Sequence, residues 1–219
     1  MATTPNLDHI EAIIFDHDGT LVDSESITIQ VVASIAAQQG AELHPDDADR
    51  FLGADLHEVF AEIERRSGKP LPDDTMKRFR AEQTAKILAG IPEIPGAAAL
   101  LEGLDLPYAV ASNAPVSKML LCLEATDLLR FFDEERMISA YDVNAWKPDP
   151  AVFLAAAERL GVTPGRCLVV EDSRPGVLAG IAAGMHVLAL DPDGRFDDTE
   201  GVTAVSSLGE VAQLIRRDR

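Results

Sequence analysis

Short apolar runs alternate along the chain with longer segments whose apolar positions recur at helical spacing. That alternation is the signature of parallel strands joined by crossover helices. Five runs read as strands: Ile10 to Asp16 (IEAIIFD), Pro107 to Ser112 (PYAVAS), Arg136 to Ser139 (RMIS), Arg166 to Glu171 (RCLVVE) and Met185 to Leu190 (MHVLAL). The clearest helix is predicted to open with Asp149 as N-cap and Pro150 at its first position, and to end before Gly161. An aspartate there accepts the otherwise unpaired first N–H groups, proline gives up no helical bond, and glycine tolerates the left-handed ending.

One interval breaks the alternation. About ninety residues separate the first two strands, where a crossover needs roughly thirty. The stretch from Ser24 to Ala89 has helical periodicity alone, and the return link Gly90 to Gly96 (GIPEIPG) is rich in glycine and proline. The predicted fold is therefore α/β: a Rossmann-like doubly wound parallel sheet formed by residues 1–22 and 91–219, with a small all-helical cap inserted at 23–90. The acidic stretch from Asp191 to Gly201 (DPDGRFDDTEG) reads as a solvated loop.

Composition narrows the function class. With 219 residues, 47% of them apolar, the chain can bury one substantial core. Its 37 acidic and 19 basic residues give a net charge of −18, which repels nucleic-acid phosphates and anionic lipid. No window approaches the apolar length needed to span a bilayer, and the N-terminal residues lack a targeting pattern. A soluble, cytoplasmic monomer with no nucleic-acid or membrane partner is expected. The two cysteines, Cys122 and Cys167, lie in apolar segments and are expected as buried free thiols.

Candidate chemistry gathers at the carboxyl ends of the strands, where ligands bind in open parallel sheets. Asp16 and Asp18 (FDHDGT) close the first strand, and the two-residue repeat of a strand lets both carboxylates face one side while Gly19 turns the chain. The fourth strand ends in Glu171 and Asp172 (VVEDSRPG). Like charges about 4 Å apart repel by about 4 kcal/mol at an effective dielectric of about 20, so four neighbouring carboxylates need protons or a cation. An all-oxygen set favours Mg²⁺ over Zn²⁺. The second strand ends in AVASNAP, which offers the Ser112 hydroxyl to an anion and makes Asn113 a candidate substrate contact. Lys147 (AWKPDP), held extended by Pro148, is the one cation expected near the acids; Trp146 before it is expected to pack.

DHDGT, ASN, WKPDP and EDSRPG, in this order and over essentially the whole chain, resemble the four motifs of the haloacid dehalogenase superfamily. The helical insert and EDSRPGVLAGIAAGM are similar to its β-phosphoglucomutase-like and sugar-phosphatase branch. The resemblance implies Asp16 as nucleophile, Asp18 as general acid and base, and Ser112 and Lys147 as grips on the phosphoryl group. It further implies Thr20 as a brace and Mg²⁺ held by Asp16, the Asp18 main-chain carbonyl and Asp172, with Glu171 on the metal or just behind it. Asp18 disfavours a dehalogenase, which lacks an acid at that position. Thr28 and Leu56 stand where mutases of the branch carry His and Arg, and between Leu21 and Ser67 there is no lysine to form a phosphonatase Schiff base.

A Mg²⁺-dependent phosphatase acting on a small phosphate monoester is thereby expected, on a sugar phosphate or a sugar-acid phosphate such as 6-phosphogluconate. A phosphomutase and a non-catalytic binding protein are the alternatives. Arg50, Asp55 and His57, around the Gly53 turn of the insert, are the expected contacts to the alcohol part of the ester.

Overall fold

The computed structural model describes residues 7–44, 47, 56–196 and 199–217. Its chain divides into two compact units, Met1–Val22 with Pro92–Arg219, and Asp23–Ile91.

The first unit is built on a six-stranded parallel sheet: β1 (Ala12–Phe15), β2 (Tyr108–Ser112), β3 (Met137–Ser139), β4 (Cys167–Glu171), β5 (His186–Leu190) and β6 (Val202–Val205), in the order β3-β2-β1-β4-β5-β6. All four residues of β1 and all five of β4 are buried. Crossover helices cover both faces of such a sheet, so its central strands read as unbroken apolar runs, which is why they are visible in the sequence. One layer of the core joins Ala12, Ile14, Ala109 and Val169 to Val152 and Phe153 of the helix Ala151–Leu160. The five expected strands are present, each trimmed by one or more residues at its start.

Three further features differ from the sequence expectation. β6 was not predicted: it pairs only with β5, and Val205 alone of its residues is fully buried, so no apolar run marks it. The acidic loop is not solvated throughout. Asp191 is buried and accepts the Phe196 N–H at 2.7 Å through Oδ2, and this turn drops Phe196 into the core. The helix at Pro150 begins one residue later than expected, with Pro150 at its N-cap, yet Asp149 still serves its first turn by accepting from the Ala151 N–H at 2.9 Å. Gly161 closes it in the left-handed conformation. Cys122 and Cys167 are free and buried.

The second unit contains the helices Glu25–Gln39, Leu56–Ser67 and Thr75–Leu88. Val31, Val32, Ile63, Phe79 and Ile87 form its interior, where the Phe60 and Phe79 rings meet edge to face. Arg66 closes it on one side by donating to the buried Asp47 at 2.7 Å. Among the described residues, no helix is long and apolar enough to cross a membrane.

Candidate active site

Strand order fixes where the chemistry gathers. The chain winds from β1 to β2 and β3 on one side, then crosses to β4, β5 and β6 on the other, so β1 lies at the switch point with a crevice at its carboxyl end. Phe15 is in register with Val110 of β2 and Val170 of β4. Asp16, one residue on, therefore emerges between Ala111 and Glu171.

Lys147 enters this point from the loop before the helix Ala151–Leu160. An ammonium has three donors, and all three are used: on Asp16 Oδ1, on Glu171 Oε1 at 2.9 Å and on the Ala111 carbonyl at 3.0 Å. Its position is set by Asn113, whose side-chain carbonyl accepts the Lys147 N–H at 2.9 Å. Asn113, expected to touch substrate, thus ties the end of β2 to the lysine loop. Burial pushes the Asp16 carboxyl up to about 7, with Glu171 and Asp18 adding to the rise and Lys147 opposing it. For Lys147, burial works against the charge, but Asp16 and Glu171 prevail and keep it protonated.

Glu171 is fully buried, with Oε1 on Lys147 and Oε2 accepting the Ser173 N–H at 2.6 Å. Both its oxygens are engaged by protein donors, so it fixes the lysine. Asp172, next along, accepts from the Thr20 hydroxyl at 2.9 Å. It comes so close to the turn after β1 that a Cβ on Gly19 would lie 2.2 Å from Asp172 Oδ2, and Gly19 also has φ +84°. Only glycine meets both demands. The Ser112 hydroxyl accepts the Ala114 N–H at 3.0 Å, and Ser139 pins the same loop by donating to the Ala114 carbonyl at 2.8 Å. Accepting from Ala114 leaves the Ser112 hydroxyl its proton to donate.

Asp18 has a cation of its own, which the sequence did not reveal. Lys118, on the helix Val116–Ala125 after β2, donates to Asp18 Oδ1 at 2.8 Å, and His17 Nδ1 lies 3.1 Å from the same oxygen. Burial pushes the Asp18 carboxyl up, but Lys118 and then His17 outweigh it and hold it well below the usual carboxylate range. A lysine in a mostly apolar helical segment (VSKMLLCLEA) carries no local signal of this contact.

Four carboxylates thus face two ammonium groups. Among the described residues, no group of three or more His, Cys, Asp or Glu side chains is arranged to hold a metal ion. A cation here would draw on few side chains and complete its shell with main-chain and substrate oxygens. The donors fit a hard divalent ion on that basis: they are all oxygen, they carry excess negative charge, and Asp16 is reluctant to ionise with Lys147 alone.

Of the residues expected around the insert's turn, Arg50 and Asp55 lie outside the described residues, as does Gly53. His57 is exposed on the helix Leu56–Ser67. The Thr28 hydroxyl donates to the Ser24 carbonyl at 3.1 Å and accepts from Gln83 at 2.9 Å. Trp146, expected to pack, is 45% exposed and meets Tyr141 edge to face.

Residues 13–190 match the family model for haloacid dehalogenase-like hydrolases. The chain is 34% identical over 212 residues to the 6-phosphogluconate phosphatase of Escherichia coli K12, covering 95% of this chain and 96% of that protein. It is 32% identical over 187 residues to hexitol phosphatase A of the same organism, covering 83% of each. A haloacid dehalogenase family hydrolase from Deinococcus radiodurans R1, solved with bound phosphate and sodium, superposes with a TM-score of 0.82 at 28% identity, covering 96% of this chain and 97% of that one. With most of its length matched by the family model, and with the motif residues gathered at the switch point of a doubly wound sheet, the chain belongs to the haloacid dehalogenase-like hydrolase family.

Proposed function

We propose that the protein is a Mg²⁺-dependent phosphatase that hydrolyses a small phosphate monoester of a sugar or sugar acid, with 6-phosphogluconate the first substrate to test. The observation that carries this reading is the pairing of Asp16 with Lys147 and Glu171 beside Asp18. It supplies a fixed carboxylate nucleophile and a second carboxylate two residues away for proton transfer. The identity to a 6-phosphogluconate phosphatase and to a hexitol phosphatase supports the substrate class.

Asp16 attacks phosphorus through a carboxylate oxygen, and the bond from phosphorus to the ester oxygen breaks. Asp18, held as a carboxylate by Lys118 and His17 in the free protein, is favoured in its acid form once the negatively charged ester lies beside it, and gives its proton to that departing oxygen. The freed alcohol leaves, and Asp18, now a carboxylate, takes a proton from water as the water oxygen attacks the phosphorus of the Asp16 acyl phosphate. Inorganic phosphate is released and both carboxyl groups return to their starting state. Dividing one difficult displacement into two steps is the advantage of a covalent route, and a positioned acid and base contributes on the order of 10²- to 10⁴-fold. Lys147 keeps Asp16 oriented, and its charge together with the Ser112 proton stabilises the phosphoryl oxygens, where transition-state charge lies.

Asp16, the Asp18 main-chain carbonyl and Asp172 would hold Mg²⁺, with Thr20 bracing Asp172 and Glu171 securing Lys147. Bound there, the ion supplies positive charge to the phosphoryl oxygens and favours the ionised Asp16.

A turnover screen in Mg²⁺ with p-nitrophenyl phosphate, 6-phosphogluconate, hexitol phosphates and glucose 1-phosphate tests the reading. Phosphate release from a sugar-acid or sugar-alcohol ester is expected. Isomerisation of glucose 1-phosphate without phosphate release would replace phosphatase by mutase, and no turnover on any ester would leave a binding protein.

A further inference from the structure

His9 and His186 meet at the end of the sheet opposite the crevice. Their Nε2 atoms lie 2.7 Å apart, so one donates and the other accepts, and the rings stand edge to face. The contact spans 177 residues and joins two elements that are not neighbours. His186 opens β5, His9 lies in the turn closed by the Ile10 N–H on the Leu7 carbonyl before β1, and β4 runs between β1 and β5. Arg166, at the start of β4, donates from Nε to the His9 carbonyl at 3.3 Å and accepts the Glu11 N–H at 2.8 Å. Both rings are partly buried. On the segments around them, Asp8 is exposed, Glu11 and the Arg166 guanidinium bond to each other at 2.8 Å, and the link from Ala183 to Met185 has no ionisable side chain. Burial, and then His9, hold the His186 ring below its usual range.

We propose that this pair is an acid-sensitive clasp, which ties the turn before β1 to the start of β5, stays closed when one proton is added and opens when two are. The reason is proton counting. A neutral imidazole has one N–H and one lone pair, so a neutral pair shares one N–H···N bond. A first added proton, on Nδ1 of the donor ring, leaves that bond in place and gives it the assistance of a charge. A second leaves neither ring with an acceptor and puts a positive charge on both, and only parting the turn from β5 relieves the contact. The unfolded chain takes up both protons near pH 6.5, whereas the closed clasp resists the second. A histidine held below its unfolded value stabilises the fold above about pH 6.5, and that contribution is lost as pH falls from there through the folded value. With one proton fewer on the folded protein, the ratio of folded to unfolded molecules drops by up to about tenfold per pH unit.

The test is a double-mutant cycle on denaturant unfolding, with wild type, His9→Gln, His186→Gln and the double variant compared at about pH 7.5 and about pH 5. Titrations elsewhere in the chain cancel in the cycle. At the higher pH the two histidines are expected to favour folding jointly. At the lower pH that coupling, read as a factor in the folding equilibrium constant, is expected to have fallen on the order of tenfold. A coupling equal at the two pH values, or one that strengthens in acid, would overturn the proposal. Proton NMR of the wild-type rings, assigned by the signals lost in each single variant, decides the matter even where the double variant does not fold. Two separated steps felt by both rings are expected, the second below the usual histidine range. One ordinary, independent step in each ring would show that no proton is shared and that there is no clasp.

Discussion

A Cβ placed on Gly176 would lie 1.6 Å from Glu171 Oε1, so the first turn of the helix Arg174–Ala182 exists in its observed form only because that position has no side chain. The same carboxylate oxygen accepts from Lys147, and its neighbour accepts from Ser173, so Glu171 has no room to retreat without releasing the lysine that orients Asp16.

Alanine normally stabilises a helix relative to glycine by about 0.5 to 1 kcal/mol. At position 176 the collision reverses the sign, because overpacking costs about 1 to 3 kcal/mol. Gly176→Ala is expected to lower stability by about 1 to 2 kcal/mol in denaturant unfolding and to reduce kcat, as Lys147 loses one of its three acceptors. A more stable variant with full kcat would show that Glu171 does not hold the lysine.

Removing the metal should abolish turnover reversibly. A chelator is expected to stop phosphate release, and Mg²⁺ to restore it. Ca²⁺ should bind without supporting turnover, because its larger, looser coordination misplaces nucleophile and phosphate. Thr20→Val removes the hydrogen bond to Asp172 Oδ1, and Asp172→Ala removes a proposed ligand. Titration of activity with Mg²⁺ should show a higher requirement in both, larger for Asp172→Ala, with a smaller change in the substrate requirement. Full activity in chelator would refute the metal.

The strands and the motif residues were legible because they obey local rules. A parallel strand covered on both faces is an apolar run, and residues that end such strands share one edge of the sheet wherever the helices lie. What depended on tertiary contact was not legible. Lys118 reaches Asp18 from a mostly apolar helical segment, and nothing local shows that the Asn113 side chain meets the Lys147 N–H. β6 gives no apolar run, since an edge strand with one fully buried residue does not need one. Asp191 was misread with its acidic neighbours: a loop full of carboxylates reads as solvated, although its first aspartate is buried and organises the turn that seats Phe196.

That turn makes a stability prediction with a definite pH sign. Burial pushes the Asp191 carboxyl up, but the N–H groups of Arg195 and Phe196 and the Arg195 guanidinium outweigh it and hold the carboxyl below its usual range. A carboxyl with a depressed folded-state pKa stabilises the protein above its unfolded pKa, and the contribution is lost as pH falls through the folded value. Asp191→Ala is therefore expected to cost about 1 to 2 kcal/mol at neutral pH, through lost hydrogen bonds to the turn. The gap to wild type should narrow from about pH 4, where the unfolded-state carboxyl takes up protons, down through the lower folded-state value. A gap that stays constant down to acid pH would assign the effect to packing alone.

The central claim is that Asp16 takes the phosphoryl group. Its most direct test is to quench the enzyme with acid during turnover of p-nitrophenyl phosphate, then measure its mass and map any adduct by peptide. Wild type is expected to carry one phosphoryl group on the peptide containing Asp16. Asp16→Asn, equal in size but without the nucleophilic carboxylate, should carry none and turn over at less than a tenth of the wild-type rate while remaining folded. An adduct on another residue, or an Asp16→Asn variant that hydrolyses the ester at near wild-type rate, would contradict the account.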